Sequence, residues 1–359
     1  MKPYILASCM ISPQSTCNAT GFPAEVVESV ADRLICIEPD YREHINPIQL
    51  RRMPRILRMG LASAQICLNR ANNVSPDAII VGTGLGCLDN LEKFLLEVLD
   101  HDEHVTSVLP FINSTHNAVA AQIAMLLRNH SYNITYCHRG FSFESALQDA
   151  LMLIEEKQAK NVLMGGIDEC TDDFMKLHGY LGYWKKPLSN LRLLADKSSG
   201  TIAGEGSAFF IISSESSPDL PKAVIEGVHT FLAPKPFDEN NVAQEIAQFL
   251  QKAGTDRQEV DAVILGLNGD AVYDRSYWAL RNNYFAGHTE FMYYKHLCGE
   301  YYTAGAFALW LGSVVLENQN IPDKTRLTRK SSRPIRYLLL YNHFRNTEHS
   351  LILLKNGQF

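Results

Sequence analysis

Tyr136-Cys137-His138-Arg139-Gly140-Phe141-Ser142-Phe143-Glu144-Ser145-Ala146-Leu147 reads as the end of a strand, a sharp turn and the start of a helix. Asn133 to Tyr136 is a short β-prone run. Ser142 is suited to cap the helix N-terminus, and Phe143, Ala146, Leu147, Ala150, Leu151 and Ile154 then recur at helical spacing. A nucleophile at such a turn sits on a helix N-terminus. There the dipole lowers a thiol's pKa, and backbone N–H groups can hold an oxyanion. The thiol available here, Cys137, lies on the strand side of the turn rather than at its apex.

The chain has 359 residues, enough for a large core, with 46% apolar and 20% charged residues, as in ordinary globular proteins. Its net charge of −6 argues against a broad nucleic-acid surface without excluding a local basic patch. No apolar run approaches the ~18 residues of a membrane span. Met1 to Ser8 reads as an opening strand too short for a secretory signal. Eight scattered cysteines with no CxxC pair point to reduced thiols and a cytoplasmic setting rather than disulfides or zinc.

Outward from the turn, punctuation repeats on either side of a polar, Pro-containing seam, Ser213 to Lys222. Before it, Ala78-Ile79-Ile80-Val81-Gly82-Thr83-Gly84 is an apolar strand entering a glycine loop. After it, Ala262-Val263-Ile264-Leu265-Gly266-Leu267-Asn268-Gly269 repeats that pattern. Asn161 to Gly166 and Arg336 to Asn342 are further apolar strands. Strands without polar alternation are buried on both faces, so helices must cover them. Helical patterns fall near 53–70, 90–99, 117–129 and 143–157, then 241–253, 275–283 and 302–317. The expectation is an α/β protein of two related halves: residues 1–212, carrying the nucleophile turn, and residues 223–359.

These landmarks resemble the β-ketoacyl synthase family, which has the thiolase fold. The likeness runs nearly end to end. It rests on Val81-Gly82-Thr83-Gly84-Leu85-Gly86, on Pro110 to Ala120, and on Gly165-Gly166-Ile167-Asp168-Glu169. Gly200 with Gly204-Glu205-Gly206-Ser207, Lys295 with Gly299, and Asn342-His343-Phe344 complete it. The resemblance implies two thiolase-like halves in a layered αβαβα arrangement, and a homo- or heterodimer formed through strands near the nucleophile turn. It also implies fatty-acid, polyketide or aryl-polyene-type chemistry on acyl carrier protein. The family's reaction is a decarboxylative condensation using a cysteine, two histidines and a lysine, with no metal and no diffusible cofactor.

Four departures stand out against that pattern. Counting back from Ala146-Leu147-Gln148-Asp149-Ala150, the nucleophile position falls on Gly140. Cys137 lies three residues upstream, roughly 10 Å of extended backbone away. The first histidine falls near Leu267 to Ala271, where Asn268 is the nearest polar residue, and the second falls on Glu300. A carboxylate there repels a developing enolate but can pair with Lys295, the one matching active-site residue. The family's C-terminal glycine loop is shortened to Phe344-Arg345-Asn346-Thr347-Glu348-His349, which implies a reshaped or closed pocket.

The resemblance with these losses implies a non-condensing partner of an active ketosynthase, like a chain-length factor, with Phe141, Phe143 and Phe344 as tunnel walls. Two other readings stay open. One is an atypical synthase using Cys137 or Cys298; the other is an acyl-thioester-binding protein. Cys137 and His138, adjacent on a strand, point to opposite faces. The glycines before Cys87 do not keep dinucleotide spacing. His116 fits a role at a helix start or an interface. Arg51, Arg52, Arg55 and Arg58 form either a solvated helix face or a dock for an acidic carrier protein, and Lys185-Lys186 is equally ambiguous. No nucleic-acid or membrane partner is expected.

Overall fold

The computed structural model describes residues 2–19, 21–101, 108–216, 223–233 and 238–358. Residues 217–222 of the expected seam lie outside these. Ten strands form one sheet: β1 (Tyr4–Ile11), β2 (Ala78–Gly82), β3 (Tyr132–Tyr136), β4 (Asn161–Asp168), β5 (Gly206–Ser213), β6 (Ala223–Leu232), β7 (Val260–Leu265), β8 (Glu290–Tyr293), β9 (Tyr337–Phe344) and β10 (Glu348–Asn356). Their order is β8-β7-β9-β10-β6-β1-β5-β4-β2-β3.

The two sets of five strands are wired alike. In the first, β2 lies parallel between β3 and β4, and β4, β5 and β1 continue antiparallel. In the second, β7 lies parallel between β8 and β9, and β9, β10 and β6 continue antiparallel. The sets meet where Tyr4 of β1 pairs with Val224 of β6. Every residue of β2, β5, β7 and β8 is buried, as expected of strands covered on both faces.

The principal helices are α1 (Arg55–Arg70), α2 (Leu88–Asp100), α3 (Val108–Asn113), α4 (Ala118–Leu127), α5 (Ser142–Glu155), α6 (Asp172–Tyr180), α7 (Glu239–Lys252), α8 (Arg275–Asn283), α9 (Lys295–Cys298) and α10 (Gly305–Asn318). Helices α5 and α10 form the middle layer. The first packs on β2 and β4 and touches β6, while the second packs on β9 and β10 and on β1 and β5. Their shared core holds Phe143, Leu147, Phe307, Trp310 and Leu311. One outer core lies under α1 and α4 and another under α7 and α8, giving the αβαβα layering. Helix α10 is buried on nearly every side, as its largely apolar sequence requires.

All eight cysteines are free thiols. Among the described residues no helix is long and apolar enough to cross a membrane.

Candidate functional site

The two parallel sets run in opposite directions along the sheet order, yet the segments that leave their carboxyl ends meet: the Gly140 N–H reaches Glu348 beside the end of β9, and the Thr303 N–H reaches Asp168 at the end of β4. Gly82 of β2 is level with Tyr136 of β3 and Gly166 of β4, while Leu265 of β7 is level with Tyr293 of β8 and Tyr341 of β9. Beyond those levels lie the turn at Gly140, Asn268, Lys295 and Phe344. Crevices outside the carboxyl ends of parallel strands are the usual place for ligands in open α/β sheets.

At the turn, residues Arg139–Phe141 form one 3-10 turn that runs into α5. Ser142 is the first helical residue, not the cap. Its hydroxyl donates to the Arg139 carbonyl at 2.8 Å and accepts from the His138 N–H at 2.8 Å, which pins the bend. Arg139 sits in the left-handed region, φ 50°. The Gly140 N–H donates to Oε2 of Glu348 at 2.9 Å. A Cβ built on Gly140 meets that oxygen at 2.5 Å and the Phe344 Cβ at 2.9 Å. A side chain there would have to displace the Glu348 carboxylate and shift Phe344, and the donor is already occupied.

Asn268, Glu300 and Lys295, the residues expected at the histidine and lysine positions, come together. Lys295 Nζ donates to both Glu300 carboxylate oxygens, at 2.8 and 2.7 Å, and Asn268 Nδ2 donates to Oε2 at 2.7 Å. Lys295 is fully buried, and Asn268 and Glu300 nearly so. Asn268 is held in turn by Asp274, which accepts from the N–H groups of Asn268 and Gly269. Burial pushes the Asp274 carboxyl up to about 7, with those two backbone bonds opposing it. The cluster is an internally neutralised ion pair, so no free cation remains in it to meet a developing negative charge.

Asn268, Glu300 and Phe344 line one wall of a pocket with about 680 Å³ of empty space, part of it open to solvent. Tyr183, Trp184, Tyr273 and Tyr302 also line it. At its rim the Arg345 guanidinium lies 3.8 Å from the Tyr183 ring centroid and 5.2 Å from that of Tyr273, and donates to the Tyr273 hydroxyl. The shortened hairpin makes this placement. Arg345 and Asn346 both take left-handed φ, 52°, turning β9 directly into β10.

Of the expected tunnel walls, Phe344 lines this pocket. Phe143 is fully buried against Phe210 in the central core, and Phe141 is buried beside the His138 ring. Cys137 is exposed and donates to the Gly84 carbonyl at 3.4 Å. Partial burial and the nearby Asp168 push its thiol up, away from the thiolate. No hydrogen bond joins it to His138 among the described residues. Cys298 is buried on the Gly299 carbonyl, with its thiol pushed well up by burial. Burial likewise raises Cys87 to about 12. His116 is exposed between α3 and α4, against Gly86.

The basic residues read as a helix face or dock separate on inspection. Arg55 turns inward to the fully buried Glu205, which also accepts from the N–H groups of Cys36 and Cys170. Gly204-Glu205-Gly206 is thus a structural knot. Arg58 caps the Met53 carbonyl, whereas Arg51 and Arg52 are exposed. Lys185 is buried on Asp196 and Ser198, so it is no dock.

Glu348 and the Tyr183, Tyr273 and Arg345 rim were not singled out as site residues from sequence. Glu348 becomes a neighbour of Gly140 only when β10 is laid beside β9, level with Phe344.

The fold is of the thiolase type, with the turn at Gly140 and the Asn268, Glu300 and Lys295 cluster in the segments that follow its parallel strands. The profile described as "Beta-ketoacyl synthase, N-terminal domain" matches residues 23–217, and the chain belongs to that family. No curated protein matches it. Among solved structures, it is similar to the ishigamide ketosynthase/chain length factor, with TM-score 0.75, 16% identity and 99% of both chains covered. It is similar to a β-ketoacyl synthase from Burkholderia phymatum, with TM-score 0.74, 11% identity and 99% of both chains covered. It also resembles a ketosynthase, ApeO, in complex with its chain length factor, ApeC, from Xenorhabdus doucetiae. There the TM-score is 0.70 and the identity 18%, over 99% of this chain and 98% of that one.

Proposed function

We propose that this chain is a non-condensing, chain-length-factor-like subunit that pairs with a cysteine-bearing ketosynthase in fatty-acid, polyketide or aryl-polyene-type synthesis on acyl carrier protein. The observation that carries this is the bond from the Gly140 N–H to Glu348. Acyl transfer needs a nucleophile and a donor aimed at the developing oxyanion. Here the nucleophile position has no side chain, and the donor is held by a carboxylate of the same sign as the oxyanion. The Glu300 ion pair removes the remaining electrostatic help.

The surface supports pairing. Strand β3 is an edge of the sheet with one side unpaired, and exposed edges recruit further strands. Beside it, α4 packs on β2 and β3. Helices α2 and α3, which pack on each other, expose Leu95, Leu96, Leu99, Val108, Leu109, Phe111 and Ile112. Apolar exposure on that scale marks an interaction face. The ketosynthase/chain length factor neighbours and a ketosynthase solved with its acyl carrier protein support the choice of partners.

The aromatic pocket favours one further reading, retention of acyl-thioester binding without condensation, because Phe344 and the tyrosines offer an apolar wall. Co-expression with ketosynthases from the same organism separates these. Co-purification of a stable one-to-one pair is expected, and a chain that stays single with every candidate at micromolar concentration overturns the proposal.

A further inference from the structure

At the end of β7 and β8 opposite the degenerate centre, the chain carries a concentrated positive charge. Lys324 to Arg336 holds six Lys or Arg in thirteen residues and no acid, in a protein whose net charge is −6. Two of the six are neutralised, Arg326 by Glu290 and Arg336 near Asp261. Arg329 and Lys330 are exposed and have no carboxylate partner among the described residues. The segment is fixed along β8: the Leu327 N–H donates to the Phe291 carbonyl at 2.8 Å, and the Phe291 N–H donates to Thr328 Oγ1 at 3.0 Å.

Arg281, His288, Thr328, Arg329, Lys330 and Ser331 line an open concavity there, with no carboxylate among the lining residues. Its donors are in hand. Thr328 and Ser331 each use the hydroxyl oxygen to accept a backbone N–H, leaving the proton free to donate. The Arg281 guanidinium is fixed over Trp278 and Phe291 and donates to the Leu327 carbonyl, yet its Nε is buried without a partner. His288 Nε2 is also buried without a partner. Buried polar nitrogens left unpaired are costly and rare unless something else satisfies them.

We infer that this concavity is a binding site for the phosphate group of a small soluble ligand. A tetrahedral dianion has enough acceptor oxygens to meet the Thr328, Arg329, Lys330 and Ser331 donors together. A membrane would need apolar residues flanking the cations, and those beside them are Ser331 and Ser332. The inference stands apart from the reading of the Gly140 centre.

The test is calorimetric titration of the full chain with inorganic phosphate and pyrophosphate at constant ionic strength, for wild type, Arg329→Ala/Lys330→Ala and Ser331→Ala. Thermal midpoints without ligand check that the variants fold. Saturable binding is expected, weakened about tenfold or more in the double variant and less in Ser331→Ala. Absence of binding overturns the inference, as does binding unchanged in both variants. Binding only to phosphatidic-acid vesicles, or only to polyglutamate, overturns it as well.

Discussion

Gly140 is closely crowded, and the contact that a side chain there would have to displace joins positions 208 apart in sequence. Gly140→Ala forces Glu348 and Phe344 to move and is expected to cost about 1–3 kcal/mol in chemical denaturation. Adding Glu348→Ala should recover part of that loss, because the nearest obstructing atom goes with it. Glu144 offers a second test at this scale. It is buried in the middle layer with Oε2 unpaired, its other oxygen bonded to Ser350, and burial raises its carboxyl from 4.5 to about 7. The neutral carboxyl supports the fold fully below about pH 4.5, and that support is lost as pH rises through about 7. Glu144→Gln removes this loss, so the variant should gain on the order of 3 kcal/mol over wild type between about pH 4.5 and about pH 8, read from urea midpoints at each pH. The sequence reading places Gly140, Asn268 and Glu300 at the positions expected of a nucleophile and two histidines. It did not show that Glu348 takes the freed N–H, because that contact depends on the register of a hairpin.

The elements were more legible than their ends. Apolar runs such as Ala78 to Gly82 have no polar alternation and read directly as strands buried on both faces, and α1, α5 and α10 follow from helical spacing. Ser142 was misplaced by one position, since its hydroxyl closes the turn behind it instead of capping the helix ahead. Arg55 was read from its helical neighbours as outward-facing, although its partner Glu205 lies 150 positions on and draws it inward. At this scale the exposed faces of α2 and α3 carry a prediction. Leu99→Glu with Ile112→Glu changes residues 74% and 59% exposed. The isolated chain should keep its stability to within about 0.5 kcal/mol. Pairing with a ketosynthase should weaken by about tenfold or more, measured by sedimentation.

Across the whole molecule, the two halves share one wiring plan and one central helical layer, so the scaffold stands on its core packing and not on the side chains in the segments that leave its strand ends. The repeated strand-to-glycine punctuation made that duplication visible in the sequence, whereas the aromatic pocket, built from segments as distant as Tyr183 and Arg345, was not. The central claim is that the centre no longer accepts an acyl group. The direct measurement is intact-protein mass after incubation with an acyl-carrier thioester, for the folded wild-type chain and Cys137→Ala. No adduct is predicted on either protein. An acyl adduct on wild type that disappears in Cys137→Ala would contradict the account and make the chain an atypical synthase.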